Sequence, residues 1–214
     1  MSAAQQRACD ELYPRYGVPA SASASLDLAA IFGNALPVVL EIGSGMGETT
    51  VQIAAARPEH DFLAVEMHWP GVGALLRRIE TSGLSNVRVM RADAVDVLAR
   101  LPRASLAGIH VYFPDPWPKK RHHKRRLLKP PFVHALAQTL ATGAYLHVAT
   151  DWQAYAEDIL ATLCAEPALA NAHAAFAPRP AWRPLTKFEQ RGLARGHAVF
   201  DLLFTAAAPA RTVT

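Results

Sequence analysis

The segment 37–58, PVVLEIGSGMGETTVQIAAARP, decides the fold. PVVLEIG (37–43) is a short apolar run rich in β-branched residues that ends on glycine. ETTVQIAAARP (48–58) then sets Val51, Ile53 and Ala54 to Ala56 at helix-compatible spacing before Pro58 stops it. The order is strand, glycine turn, helix. Working outward, the same unit recurs: DFLAVE (61–66) leads into PGVGALLRRIETSG (70–83), where Pro70 fits a first helical turn and Gly83 a C-terminal stop. NVRVMRAD (86–93) leads into AVDVLARLP (94–102). AGIHVYFPDP (107–116) leads, after a basic run, into PPFVHALAQTLATG (130–143), and AYLHVATD (144–151) leads into WQAYAEDILATLCAE (152–166). Five strand–helix units in succession predict an α/β fold, a parallel sheet with helices on both faces.

The flanks read differently. SASAS (21–25) suggests a flexible joint after a short N-terminal helix, so that residues 1–25 precede a single domain over 26–204. Beyond 174 the pattern is AAFAP, a proline-rich loop RPAWRPLTKFEQRGLARG, and HAVFDLLF (197–204), which predicts two terminal strands around a long loop. The tail 205–214 is expected to be disordered. Cys9 and Cys164 are far apart and form no CxxC pair, which fits a reducing cytoplasmic compartment without a disulfide framework. No apolar run approaches the ~20 residues that span a bilayer, and the first residues carry no signal-peptide pattern, so a soluble protein is expected.

Charge is unevenly placed. The formal net charge is +4, yet residues 119–129 hold seven Lys or Arg and no acid; without them the chain would stand at −3. One basic feature on a mildly acidic body suits a polyanion that meets one face.

In an open parallel sheet, ligands bind beyond the carboxyl ends of the strands. Glu41, Glu66, Asp93, Asp115 and Asp151 fall one at each of the five strand ends. Each alone could be a helix cap or a solvated acid. Together they mark a site. Gly43, Gly45 and Gly47 read G-x-G-x-G, whereas the dinucleotide fingerprint needs its third glycine at 48, occupied here by Glu48. An acid beside such a loop suits a cationic or neutral ligand better than a phosphate. S-adenosyl-L-methionine fits better than a nicotinamide cofactor: Glu41 faces its positive groups, Glu66 its ribose hydroxyls and Asp93 its adenine amino group.

FPDPWPKKRHHKRR (113–126) sets an acid against a basic run. Pro114 and Pro116 restrict the backbone on both sides of Asp115 and aim its carboxylate at the cofactor pocket. A purine could stack on Trp117 and donate its N–H groups to Asp115, while Lys119 to Arg126 hold phosphates and His122 and His123 add hydrogen bonds. A structural turn with a core tryptophan, or a solvated or nuclear-targeting basic run, also fits the residues. Neither explains why the acid and the bases abut.

EIGSGMGE, VEMHWPGVG, ADAVDVL, FPDPWPKKRHHKRR, ATDWQAYAE, PRPAWRPLTKFEQRG and HAVFDLLF, in this order, resemble the bacterial tRNA (guanine-N7)-methyltransferases over roughly residues 5–204. The resemblance implies the Rossmann-like class I methyltransferase fold, a seven-stranded, mostly parallel sheet with helices on both faces and an antiparallel C-terminal strand. It implies transfer of a methyl group from S-adenosyl-L-methionine to N7 of guanine-46 in the tRNA variable loop, with S-adenosyl-L-homocysteine as product. Cofactor contacts fall to Glu41, the loop Gly43, Gly45 and Gly47, Glu66, Asp93 and Asp115, and Asp115 is the catalytic residue. Substrate contacts fall to Lys119, Asp151, Thr186, Lys187, Phe188 and Glu189, with Arg121, His122, His123, Lys124, Arg125 and Arg126 as the RNA-facing segment. Members often carry a longer basic N-terminal arm, which this chain is expected to do without.

From the residues alone, Lys187 and Glu189 also fit an exposed ion pair, and Trp152 and Tyr155 are expected to pack in the core. His68, His110, His134, His147 and His197 show no ligand spacing, so no metal is expected, nor a membrane or an obligatory protein partner. The competing reading is a non-catalytic RNA-binding protein on the same fold.

Overall fold

Strand alternation assigns each residue to a layer. In the computed structural model, which describes residues 1–19, 25–186, 189–190, 196 and 198–208, β2 (Val38–Ile42) turns Val38, Leu40 and Ile42 to one face of the sheet and Val39 to the other. β3 (Asp61–Val65) splits in the same way, Leu63 and Val65 against Phe62 and Ala64. The first face is covered by α2 (Leu28–Phe32), α5 (Ala94–Arg100), α6 (Pro130–Thr139) and α7 (Gln153–Cys164). The second is covered by α1 (Ala3–Tyr16), α3 (Glu48–Ala56) and α4 (Trp69–Thr81). Leu75, Leu76 and Ile79 of α4 are fully buried, and each such side chain stabilises the fold by roughly 1.5–3 kcal/mol.

β4 (Val87–Met90), β5 (Leu106–Tyr112) and β6 (Leu140–Thr150) complete the parallel set with β2 and β3. β8 (Phe200–Ala206) pairs antiparallel with β6, and β7 (Leu169–Asn171) antiparallel with β8. The sheet order is β1-β4-β3-β2-β5-β6-β8-β7. The chain runs outward from β2 to β4, then returns to place β5 on the other side of β2, so the topological switch point lies between β2 and β5.

Three details depart from expectation. The sheet has eight strands rather than seven, because Gly17–Val18 (β1) adds a two-residue parallel edge beside β4. The helix expected over 130–143 stops at Thr139: residues 104 and 105 donate to the Gln138 and Thr139 carbonyls, and Leu140 then pairs with Leu106 as a strand. AAFAP is not a strand but a single bridge from Ala177 to Asp201. Asn171 closes a turn there, accepting from the His173 amide and donating to the Ala175 carbonyl, and Pro178 and Pro180 lack the donors a ladder needs.

α1 is capped reciprocally by Ser2 and Gln5 and lies on α4 so closely that a Cβ on Gly73 would sit 2.5 Å from the Gln5 carbonyl oxygen. Most of the proposed joint (residues 21–24) and residues 209–214 of the proposed tail lie outside the described residues. Among the described residues no helix is long and apolar enough to cross a membrane.

Candidate active site

The glycine loop is held from three sides. Gly47 caps α3 with φ +76°, and a Cβ there would lie 2.4 Å from Leu75 Cδ1; only glycine meets both demands. Gly71 at the start of α4 lets that helix touch the loop backbone, since a Cβ would fall 2.6 Å from the Gly45 carbonyl oxygen. Glu66, nearly buried at the end of β3, accepts from the Gly45 amide at 2.9 Å and from the His68 amide at 2.8 Å. Its carboxylate oxygens keep lone pairs for ligand hydroxyls.

A cavity of about 610 Å³ opens at the switch point. Gly43, Glu66, Asp93, Asp115 and Trp117 lie on its wall, brought there by four strand ends: Gly43 after β2, Glu66 after β3, Asp93 after β4, and Asp115 and Trp117 in the turn after β5. Asp93 also caps α5, accepting from the Val95 amide at 2.8 Å, so the ordinary use of an acid at a strand end and the ligand-facing one coincide. Glu41 is buried in the sheet and does not line the cavity; burial pushes its carboxyl up to about 7, against a weaker opposing effect of the Thr50 hydroxyl. Its Oε2 has no hydrogen-bond partner among the described residues. A buried acceptor of this kind calls for a donor, and a cationic amino group is one that favours the ionised form.

Asp115 is presented by a constrained turn. Phe113 and Trp117 adopt φ +50° and +45°, which side-chain-bearing residues rarely do, on either side of the Pro-Asp-Pro core. The Asp115 side chain is exposed and, among the described residues, has no hydrogen-bond or ion-pair partner. The basic run follows as a 3₁₀ helix, Lys120–Arg125. Arg125 stands over the Trp117 ring at 4.9 Å and His122 meets its edge at 5.9 Å, so the run is packed against the turn. Lys119, Lys120, Arg121, Lys124 and Arg125 are exposed.

Arg126 corrects the expectation of a uniformly outward segment. It is buried, donates to the Pro116 carbonyl at 2.9 Å, pairs with Asp158 of α7 and lies over Tyr155 at 4.7 Å. Its charge is spent on holding the turn to the fold, which leaves it little reach toward a ligand.

A family model described as "Putative methyltransferase" matches residues 35–202. Curated relatives named tRNA (guanine-N(7)-)-methyltransferase are 58% identical in Aromatoleum aromaticum (95% of this chain, 79% of that protein) and 57% identical in Nitrosomonas eutropha (97% and 92%). The chain belongs to the tRNA (guanine-N7)-methyltransferase family. Solved structures share the fold at lower identity. The 16S rRNA methyltransferase KamB aligns with TM-score 0.60 at 19% identity, over 90% of this chain and 99% of that one. A 16S rRNA (adenine(1408)-N(1))-methyltransferase mutant with cosubstrate SAM, from Catenulisporales acidiphilia, aligns with 0.58 at 18%, over 89% and 96%.

In this member of the tRNA (guanine-N7)-methyltransferase family, the remaining residues fall in two groups. Asp151, half-buried, directly follows β6 beside β5, where the Phe113 amide donates to the Ala149 carbonyl at 2.7 Å; the two strands thus carry Asp115 and Asp151 off the same sheet edge. Thr186 lies elsewhere, with Gln190 beside Glu48, Gln52 and Arg78 at the opening of α3. Glu189 is buried, with both carboxylate oxygens on Arg183, so it is not the exposed partner of Lys187; Lys187 and Phe188, like His197, lie outside the described residues. Tyr155 packs in the core as expected. Trp152 does not: it stands 41% exposed at the N-terminus of α7.

The sequence reading missed a buried polar layer. On β5 and β6, His110, Tyr112, Tyr145 and His147 alternate toward the second face. The Tyr145 hydroxyl accepts from Arg57 at 2.7 Å and is hydrogen-bonded to His110 Nε2 at 2.9 Å. Tyr112 meets His147 at 3.0 Å, and His147 meets Asp201 at 2.8 Å. Complete burial drives His110 well below the usual imidazole range. Burial also lowers His147, against the pull of Asp201, while bonds from His147 and Arg183 hold the Asp201 carboxyl low despite its own burial. The signal in the sequence was four polar rings at alternate positions of two otherwise apolar strands.

Proposed function

We propose that this protein transfers a methyl group from S-adenosyl-L-methionine to N7 of a guanine in the tRNA variable loop, position 46, in the cytoplasm. The products are 7-methylguanosine and S-adenosyl-L-homocysteine. The supporting observation is the cavity at the switch point, where the glycine loop, Glu66, Asp93 and Asp115 converge with an exposed basic run at its rim. The names of the curated relatives supply the nucleic acid, the base and the atom. Residues 26–204 act as one catalytic domain.

S-adenosyl-L-methionine supplies an electrophilic methyl on a positively charged sulfur. The residues present fit it: the partnerless Oε2 of Glu41 and the unhindered Gly43 and Gly45 suit its methionine end, Glu66 the ribose and Asp93 the adenine. Neutral guanine offers N7 as a lone pair with no proton to remove, so no general base is required. The chain's task is orientation and charge. Asp115, fixed in its turn, accepts from the guanine N–H edge and stabilises the positive charge that the methylated purine acquires, with Asp151 beside it on the same sheet edge. Lys119, Arg121, Lys124 and Arg125 hold the phosphates and leave base recognition to the acids.

Incubation of the purified protein with labelled S-adenosyl-L-methionine and unmodified tRNA, followed by nucleoside mass spectrometry, tests this reading. The expected product is 7-methylguanosine confined to the variable loop. tRNA binding without methyl transfer would favour the non-catalytic alternative.

A further inference from the structure

Arg183 is 1% exposed, yet it carries a full charge into the protein. It sits between two carboxylates. To Glu189 it donates from Nη1 at 2.6 Å and from Nη2 at 2.7 Å; to Asp201 it donates from Nε at 2.8 Å and from Nη2 at 3.0 Å. Both contacts are two-pronged, a geometry that the planar guanidinium fork provides and an ammonium does not. From Asp201 the chain of bonds continues to His147 and on to the Tyr112 hydroxyl, and Tyr112 lines the cavity that holds Asp115. The guanidinium also lies over the ring of Phe113, the first residue of the Asp115 turn, at 5.9 Å.

The other side of Arg183 faces the C-terminal segment. The Glu189 amide donates to Thr186 Oγ1 at 3.1 Å and the Gln190 amide to the Thr186 carbonyl at 2.9 Å, so fixing Glu189 fixes Thr186 and Gln190 beside the opening of α3. A buried ion cluster is a poor source of net stability, because desolvation offsets attraction; its best-attested use is to specify one register. Among the described residues of this segment, Trp182 is another anchor: it meets the rings of Tyr145 and His147 at 5.5 and 6.0 Å and lies under Arg57 at 5.8 Å.

We propose that Arg183 is a positioning residue for methyl transfer: through Glu189 it fixes Thr186 and Gln190, and through Asp201, His147 and Tyr112 it ties them to the wall of the cofactor cavity. The inference rests on the methyltransferase reading above, together with the family resemblance that assigns substrate contacts to Thr186 and Glu189. Arg183 touches neither reacting atom and acts through its carboxylate partners.

Arg183→Lys keeps the charge and loses one or both forks. Its expected effect is at least a tenfold rise in KM for tRNA or fall in kcat, with S-adenosyl-L-homocysteine affinity by calorimetry within twofold of wild type. Arg57→Met serves as the control: it removes from the same polar layer a cation that bonds Tyr145 and lies over the Trp182 ring at 5.8 Å but, among the described residues, hydrogen-bonds none of Thr186, Glu189 and Gln190, and a comparable drop in Tm should leave KM and kcat within twofold. Hydrogen exchange gives a readout independent of activity. The Glu189 and Gln190 amides should exchange at least tenfold faster in Arg183→Lys and at the wild-type rate in Arg57→Met. Unchanged exchange at these amides would overturn the proposal, as would activity losses in the two variants that simply track Tm. Wild-type protein inactive on tRNA would instead refute the functional reading, and the exchange data would still judge the anchor.

Discussion

One face of the sheet is filled in two opposite ways. Over β2, β3 and β4 it is apolar, with Phe62, Ala64, Val87 and Val89 packed against Ile53, Leu75, Leu76 and Ile79. Over β5, β6 and β8 it is a hydrogen-bonded layer of His110, Tyr112, Tyr145, His147 and Asp201, closed by Trp182 and Arg183. Apolar contacts are non-directional and supply cohesion; hydrogen bonds in a dry interior are directional and accept only one arrangement. The half that carries Asp115 and Asp151 on its strand ends is the half that fixes geometry.

If that division holds, damage should sort by half. Ile79→Ala, in the apolar half, should cost about 2–5 kcal/mol in urea unfolding with kcat preserved in protein that remains folded; a kcat loss at full folding would erase the distinction.

Glu41 lies at the seam, close enough to bear on the titration of both Tyr112 and Tyr145. Its folded pKa of about 7 lies above the ordinary value of 4.5. The folded state therefore holds a proton that the unfolded chain releases, and the associated stability is full below pH 4.5 and lost as pH rises through 7. The total is about 3 kcal/mol. In the absence of cofactor, Glu41→Gln should flatten this part of the pH profile between pH 5 and 8; a variant with the wild-type slope would move the titration elsewhere.

Beyond the strand ends, Asp115→Ala should lower methyl transfer well over tenfold, more than about 1.4 kcal/mol of barrier, with Tm unchanged because the side chain is exposed and makes no hydrogen bond or ion pair among the described residues. Wild-type turnover would remove Asp115 from the mechanism. The smallest single steps belong to the rim. Neutralising Lys119, Arg121 or Arg125 should each reduce the log–log salt slope of tRNA binding by about 0.7–0.9, whereas Arg126→Ala should lower Tm through the lost Asp158 and Pro116 contacts and leave the slope nearly unchanged.

Much of this was legible in the sequence where local chemistry decides. Gly43, Gly83, Pro58 and Pro70 punctuate the strand–helix units, and parallel topology then places Glu66, Asp93, Asp115 and Asp151 just past successive strands, whereas Glu41 lies inside β2 and is buried there. Pairings between distant residues were not legible. Arg183 reaches Asp201 across 18 positions and His147 reaches Asp201 across 54, and no local pattern announces such partners. Arg126 sits inside a basic run, and only Asp158, Pro116 and Tyr155 reveal that it points inward. Trp152 has the spacing of a core residue, yet at the N-terminus of its helix it lies outside the packed layer.

Both outer strands of the sheet are very short, two residues in β1 and three in β7. Long free edges invite strands from other molecules. A protein that gathers on a polyanion raises its own local concentration there, and neighbours crowded on one RNA would meet only short outer strands, two and three residues long among the described residues. Short outer strands of this kind limit how far a neighbouring strand could extend the sheet.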